Sequence, residues 1–174
     1  VIATGGLPRQ EVLRTGNDRI VTAWDILTGE ARPGQRVLVY DDAGDHAGLQ
    51  AAETIAATGA AVEIVTPDRT IAPEVMSMTR TPYMRALQPL DTTFTVGWRL
   101  TAAAPAGNRL SAELTTDYGD AVRRREVDQI VVNHGIEPLD DLYAALRPLS
   151  RNLGAVDYDA LIEGHPQDME RNAD

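Results

Sequence analysis

Residues 36–66, which read RVLVYDDAGDHAGLQAAETIAATGAAVEIVT, decide the fold of this chain. Arg36–Tyr40 is a nearly continuous apolar run, which is typical of a strand buried on both faces of a parallel sheet. From 47 to 58 the apolar residues recur at helical spacing, and Gly59 is suited to end that helix. Ala61–Thr66 is rich in β-branched residues and predicts a second strand. The stretch therefore predicts a strand–helix–strand unit with parallel, right-handed connectivity.

The remaining elements extend this unit on both sides. Before the unit we predict the end of a buried strand at Val1–Gly6 and a capped helical turn at Thr22–Leu27. After it we predict a helix within Ile71–Leu90 and an antiparallel meander from Thr92 to Val132 that begins at Phe94–Val96. A buried strand at Asp128–Val132 and a helix at Leu139–Leu146 follow. This order predicts an α/β fold, a Rossmann-like parallel sheet with a small antiparallel β-meander crossover. The arrangement resembles that of FAD/NAD(P)-binding domains. Because the chain opens inside an apolar run with no initiator Met, we expect an incomplete fragment.

Composition excludes several classes of protein. The chain has no cysteine, so it holds no disulfide and no thiolate-ligated zinc or iron–sulfur site. Its formal net charge is −10, whereas a nucleic-acid surface needs clustered Lys and Arg. No apolar run approaches the roughly 20 residues that span a bilayer. We therefore expect a cytoplasmic protein with neither nucleic acid nor a membrane as a partner.

The loop after the first strand of the unit lies where dinucleotide folds bind a pyrophosphate. It reads Asp41-Asp42-Ala43-Gly44-Asp45-His46-Ala47-Gly48, and the expected pattern is G-x-G-x-x-G. Gly48 can serve as the last glycine, but the first glycines are missing and the loop is about two residues longer than the pattern. Carboxylates at these positions repel a phosphate. At the next strand end, Thr66 stands where an acidic residue commonly holds the ribose hydroxyls.

Three stretches resemble motifs of one family. Val1–Gly6 is similar to a strand-end ATG motif, 37–53 to a modified dinucleotide motif with an acidic loop, and Asp128–Pro138 to the second strand-to-loop motif. Together they resemble the C-terminal nucleotide-binding region of the trimethylamine dehydrogenase, N-methylproline demethylase and 2,4-dienoyl-CoA reductase-like flavoproteins, which are relatives of old yellow enzyme. Histamine dehydrogenase-like proteins belong to the same group.

The resemblance implies a multidomain oxidoreductase parent. Its N-terminal TIM barrel would carry FMN and often a [4Fe–4S] cluster, both outside this chain, and would be the chain's partner. The resemblance also implies a split FAD-like domain, with remnants at 1–34 and 136–174 around an inserted NAD(P)-like nucleotide-binding domain at 35–135. The chain itself would not be catalytic.

Three functions stay open for the fragment: a non-catalytic, vestigial site for an adenine nucleotide, either ADP or a dinucleotide; an active NAD(P)H-binding domain that passes hydride to a flavin; and a purely structural or assembly module. A homo-oligomer also stays open. We predict neither a catalytic residue nor a metal site. The candidate cofactor-binding residues come from the predicted strand ends and the phosphate loop: Thr4, Gly5, Asp41, Asp42, Gly44, Gly48, Thr66, His134 and Gly135.

Overall fold

The computed structural model describes residues 2–9, 18–150 and 153–167. The chain divides into two compact units. The larger, here called the sheet unit, is Pro8–Ile136, and the smaller, here called the terminal unit, combines Val1–Leu7 with Glu137–Asp174. No helix in the described residues is long and apolar enough to cross a membrane.

The elements follow one another in mixed α/β order. They are β1 Gly6–Pro8, β2 Ile20–Thr22, α1 Ala23–Thr28, β3 Arg36–Asp41, α2 His46–Ala56, β4 Ala61–Thr66, α3 Ser77–Leu87, β5 Thr92–Val96, β6 Arg99–Ala106, β7 Arg109–Thr115, β8 Val122–Val127, β9 Gln129–Asn133, β10 Ile136–Pro138, α4 Asp141–Leu146, a 3₁₀ turn Arg147–Leu149 and α5 Tyr158–Ile162. Strands β1 and β10 pair in a two-stranded sheet.

The sheet unit is built in three layers around a parallel sheet with the strand order β2-β9-β3-β4-β5. Successive side chains of β3 point to opposite faces. Val37 and Val39 pack with the residues of α1 and α2, whereas Leu38 and Tyr40 pack with the three-stranded meander β6-β7-β8. Each face of β3 is therefore covered, which confirms the predicted buried strand and the α/β fold class.

A local sequence signal sets the start of α1 where it was predicted. Thr22 caps α1, accepting a hydrogen bond from the backbone N–H of Asp25, while the Asp25 carboxylate accepts one from the N–H of Thr22. This is a capping box. Gly29 ends α1 at a φ of 80°, a left-handed conformation that favours glycine.

Two predicted strands differ from the structure. The meander was expected to begin at Phe94–Val96, but β5 pairs parallel with β4, with Val62 opposite Thr92. It therefore forms an edge of the central sheet, and only β6 to β8 form the antiparallel meander. The predicted strand end at Val1–Gly6 is also wrong for residues 2–5, which are not strand, and Ile2 is 39% exposed. Gly6 does lie in a strand, because it begins β1. Val1 itself lies outside the described residues.

The compact units match the predicted 1–34, 35–135 and 136–174 segments closely at one boundary, which falls after Ile136, and not at the other. Residues 18–34 lie within the sheet unit because β2 pairs with β9 and α1 packs against α2. The assignment of the three segments to FAD-like and NAD(P)-like domains stays a prediction.

The ion pair between Arg125 and Glu63 links the meander to the parallel sheet. The Glu63 side chain on β4 is 16% exposed and accepts hydrogen bonds from Arg125 Nε at 2.7 Å and Thr95 Oγ1 at 2.7 Å. A carboxylate this deeply buried is stable only while its partners remain.

Arg125→Ala should therefore lower the free energy of unfolding by about 2 kcal/mol, because it leaves Glu63 largely buried without its cation. The neighbouring Arg124 is the matched control. It is 74% exposed and pairs with Glu113 at 3.2 Å, so Arg124→Ala should cost less than about 0.5 kcal/mol. Urea unfolding of both variants measures the difference, and equal losses would contradict this account of the Glu63 pair.

Candidate functional site

The site is centred on the last residue of β3. Asp41 is 1% exposed, and its Oδ1 accepts hydrogen bonds from the backbone N–H of Gly44 at 2.9 Å and from Asn133 Nδ2 at 2.8 Å. The carboxylate lies directly against Gly48, where a Cβ would be 2.6 Å from Asp41 Cγ and Oδ2. Gly48 thus permits a close approach, but the group that approaches it is the protein's own carboxylate.

The N-terminus of α2 is also capped from within the chain. Asp45 is the N-cap residue, and its Oδ1 accepts from the backbone N–H of Ala47 at 2.9 Å. The same oxygen accepts from Asn133 Nδ2 at 2.8 Å. Free backbone N–H groups at a helix N-terminus are the donors that bind phosphates. Here Asp41 and Asp45 already accept hydrogen bonds from backbone N–H groups of this loop and of the helix N-terminus.

The outer side of the loop is covered by the segment that precedes α3. Gly44 has a φ of 67°, and a Cβ on it would be 2.6 Å from Pro73 Cδ. The backbone N–H of Glu74 donates to the Gly44 carbonyl at 3.0 Å. Gly44 therefore serves a tight turn and close packing against Pro73, not an open approach to a ligand.

Burial and neighbouring charges alter the acidity of two groups at this strand end. Burial raises the pKa of Asp41 to about 6, although the hydrogen bonds from Gly44 and Asn133 lower it and the charges of Asp45 and Asp42 raise it further. Burial likewise raises the pKa of Tyr40 to about 12, with a further contribution from Asp42. Asp41 is therefore a carboxyl group that its surroundings make harder to ionise.

The raised pKa of Asp41 makes a testable contribution to stability. Between the ordinary pKa of 3.8 and about 6 the folded state holds more protons than the unfolded state. Stability should consequently fall as the pH rises through this window and level off above it. At roughly 1.4 kcal/mol per pKa unit the loss is up to about 3 kcal/mol. Asp41→Asn should remove this part of the pH dependence.

Urea unfolding of the unmodified protein and Asp41→Asn at several pH values between 4 and 7 measures this contribution. The control is Asp91→Asn, since Asp91 is exposed, and that variant should follow the unmodified protein. Parallel pH profiles for Asp41→Asn and the unmodified protein would contradict the assignment.

On the meander side of the sheet, His134 pairs with Asp42. His134 Nδ1 lies 2.8 Å from Asp42 Oδ1, and the imidazole side chain is 2% exposed. When Asp42 is ionised it can only accept, so Nδ1 is then the donor in this pair. Nε2 of His134 is buried, and it has no hydrogen-bond partner in the part of the chain that the structure describes. The ring also meets Tyr40 edge-on, at 5.4 Å between centroids.

The structure gathers six of the predicted site residues at the carboxyl ends of β3 and β9: Asp41, Asp42, Gly44, Gly48, His134 and Gly135. Thr66 ends β4, and its hydroxyl accepts from the Asp68 N–H at 3.2 Å. Thr4 and Gly5 belong to the terminal unit, where the Thr4 hydroxyl donates to the Leu139 carbonyl.

Asn133 is the residue that sequence reasoning missed. It joins Asp41 to Asp45 through one amide nitrogen and lies opposite Asp41 in the β3–β9 register. The available signal was its position directly after the apolar run Ile130–Val132, at the end of a predicted neighbouring strand. Within the described residues no group of three His, Cys, Asp or Glu side chains is placed to hold a metal ion.

The parallel sheet, with helices on one face and the meander on the other, forms an α/β fold that solved structures of other proteins share. Histamine dehydrogenase from Rhizobium sp. 4-9 matches this fold with a TM-score of 0.69 and 21% identity, over 86% of this chain and 24% of that one. No protein-family model matches the chain.

Sequence comparison gives a narrower relationship. A probable N-methylproline demethylase of Rhizobium meliloti (strain 1021) is 58% identical over 100% of this chain and 26% of its own length. An N,N-dimethylglycine/sarcosine dehydrogenase of Chromohalobacter salexigens is 39% identical over 96% of this chain and 25% of its own length. The chain is a homologue of these demethylase and dehydrogenase proteins and spans about a quarter of their length. The predicted family resemblance is thereby confirmed.

Proposed function

We propose that the chain is a non-catalytic module, of the nucleotide-binding fold, in a larger flavin-dependent oxidoreductase that acts on N-methylated amino acids. The observation that carries this proposal is the 58% identity to an N-methylproline demethylase along the whole chain. The second relative is a dehydrogenase of N,N-dimethylglycine and sarcosine. N-methylproline, N,N-dimethylglycine and sarcosine share a methyl group on an amine nitrogen, which defines the proposed substrate class.

Within this module we propose that the β3–α2 loop is closed to a pyrophosphate. Asp41 fills the space beside Gly48 and accepts a hydrogen bond from the Gly44 N–H, while Asp45 accepts one from the Ala47 N–H. A phosphate would have to displace two carboxylates and then bear their repulsion. The residues present therefore do not fit a dinucleotide at this loop. FMN and a [4Fe–4S] cluster, as the family resemblance implies them, would be bound by other parts of the polypeptide.

One observation favours a second candidate, a domain that binds NAD(P)H and supplies the flavin. In the strand order β2-β9-β3-β4-β5, strand β3 lies between β4, which follows it in the chain, and β9, which comes much later. The carboxyl ends of β3 and β9 thus form a switch point, which is where open α/β sheets commonly bind ligands. The internal hydrogen bonds of Asp41 and Asp45 at that point argue against this candidate.

Turnover assays test the proposed module and substrate class. The longer polypeptide that carries this chain should oxidise N-methylproline, N,N-dimethylglycine or sarcosine with an artificial electron acceptor, and the 174-residue chain should oxidise none of them. Turnover by the isolated chain would contradict its non-catalytic role. Failure of the longer polypeptide on all three substrates, with its flavin bound, would contradict the substrate class.

A further inference from the structure

The terminal unit contains a groove of about 530 Å³ with a mainly apolar lining. It is here called the apolar groove, and its apolar lining residues are Ile2, Tyr143, Leu146, Val156 and Leu161. Its volume falls within the range of about 300–1,000 Å³ that is usual for ligand pockets. The chemistry of its polar groups decides what kind of occupant it suits.

The polar groups at the groove are already engaged by the chain's own backbone. The Tyr143 hydroxyl donates to the Gly154 carbonyl at 3.2 Å, and Arg147 Nε donates to the Leu153 carbonyl at 2.8 Å. Ser150 Oγ donates to the Arg147 carbonyl and accepts from the Gly154 N–H. A nucleotide needs several convergent polar partners. The apolar groove offers mainly hydrocarbon surface and so fits an apolar polypeptide segment better.

The two helices beside the groove, α4 and α5, have no face that is buried within the terminal unit. Neither α4 nor α5 has a buried residue. Leu146 and Leu161, which line the groove, are 41% and 58% exposed, and nearby in sequence Leu149 and Ile162 are 80% and 82% exposed. Apolar side chains that are exposed together at one place, rather than scattered singly, are typical of an interaction site.

The charge of the terminal unit and the greater length of the relatives indicate which partner covers the groove. Residues 137–167 contain six acidic and two basic side chains, so two copies meeting at this face would bring like charges together. The two relatives match 100% and 96% of this chain and are about four times longer. We propose that the apolar groove is the docking site for an apolar segment, flanked by basic residues, from the part of the parent polypeptide outside these residues. This inference rests on the proposed parent but not on its chemistry.

Amide hydrogen exchange tests this docking. The 174 residues would be measured alone and in a polypeptide whose remaining three quarters come from the Rhizobium meliloti relative. Residues 141–162 should exchange at least tenfold more slowly in the longer polypeptide, and rapidly in the isolated chain at every concentration. The double variant Leu146→Lys, Leu161→Lys should abolish the slowing. Val122→Lys is the control, since Val122 is apolar and 53% exposed but lies in the sheet unit.

Three outcomes would overturn the inference. Equal, rapid exchange in both polypeptides would show that nothing covers the groove. Protection of the isolated chain that increases with concentration would identify a second copy as the occupant. Concentration-independent protection of the isolated chain would show that the terminal unit needs no partner. None of these readouts involves nucleotides or turnover, so failure here is distinguishable from failure of the proposed function.

Discussion

Replacing Asn133 by Asp should lower the free energy of unfolding by about 4 kcal/mol near neutral pH, the scale observed when a buried charge loses its partner. Asn133 Nδ2 lies 2.8 Å from one oxygen of Asp41 and 2.8 Å from one oxygen of Asp45. A carboxylate of nearly the same shape cannot donate to either oxygen. Three acidic groups would then meet at one buried point, and at least one would have to take up a proton.

The pH dependence of this loss identifies its cause. Acidification should restore much of the stability of Asn133→Asp, because a protonated carboxyl group can again donate a hydrogen bond. Asn108→Asp provides the control in the exposed turn between β6 and β7, and it should change stability by less than about 0.5 kcal/mol. Urea unfolding at several pH values measures both variants. A loss for Asn133→Asp that is the same at every pH would refute the electrostatic explanation.

Gly48→Ala should cost about 3 kcal/mol in the unmodified protein, because overpacking and the loss of hydrogen bonds to a buried carboxylate add together. The new Cβ would be 2.6 Å from Asp41 Cγ, so Asp41 would have to leave its contacts with Gly44 and Asn133. In an Asp41→Ala background the obstruction is gone. There the same substitution should stabilise the protein by up to about 1 kcal/mol, since Ala is the better helix former.

A double-mutant cycle of Gly48→Ala and Asp41→Ala, read by urea unfolding, measures this reversal of sign. The coupling energy should be about 3 to 4 kcal/mol, which is large for a pair of residues in contact. An equal cost of Gly48→Ala in both backgrounds would mean that Asp41 is not what occupies the space beside Gly48.

The fold was largely predictable because its signals are local. The apolar run of β3, the helical spacing in α2 and the β-branched run of β4 lie within about 30 consecutive residues, the usual size of a strand–helix–strand unit. The capping box of α1 depends on residues three positions apart, Thr22 and Asp25. Such signals need no knowledge of distant parts of the chain.

What the sequence did not reveal depends on distant pairing. The run Thr92–Val96 suits either a parallel or an antiparallel neighbour, and only its pairing with β4 makes it a parallel edge strand. The role of Asn133 follows from a register that places it opposite Asp41, 92 residues away. The acidic loop could be recognised from the sequence as a difficulty for phosphate binding. The contacts of Asp41 with Gly48 and of Pro73 with Gly44 could not, because they depend on the tertiary structure.

The central claim, that the β3–α2 loop is closed to a pyrophosphate, is tested most directly by calorimetric titration of the protein with NADH, NADPH and ADP. Each of these ligands carries a pyrophosphate, so none should give saturable heat at millimolar concentration. Saturable binding of any of the three by the unmodified protein would contradict the claim.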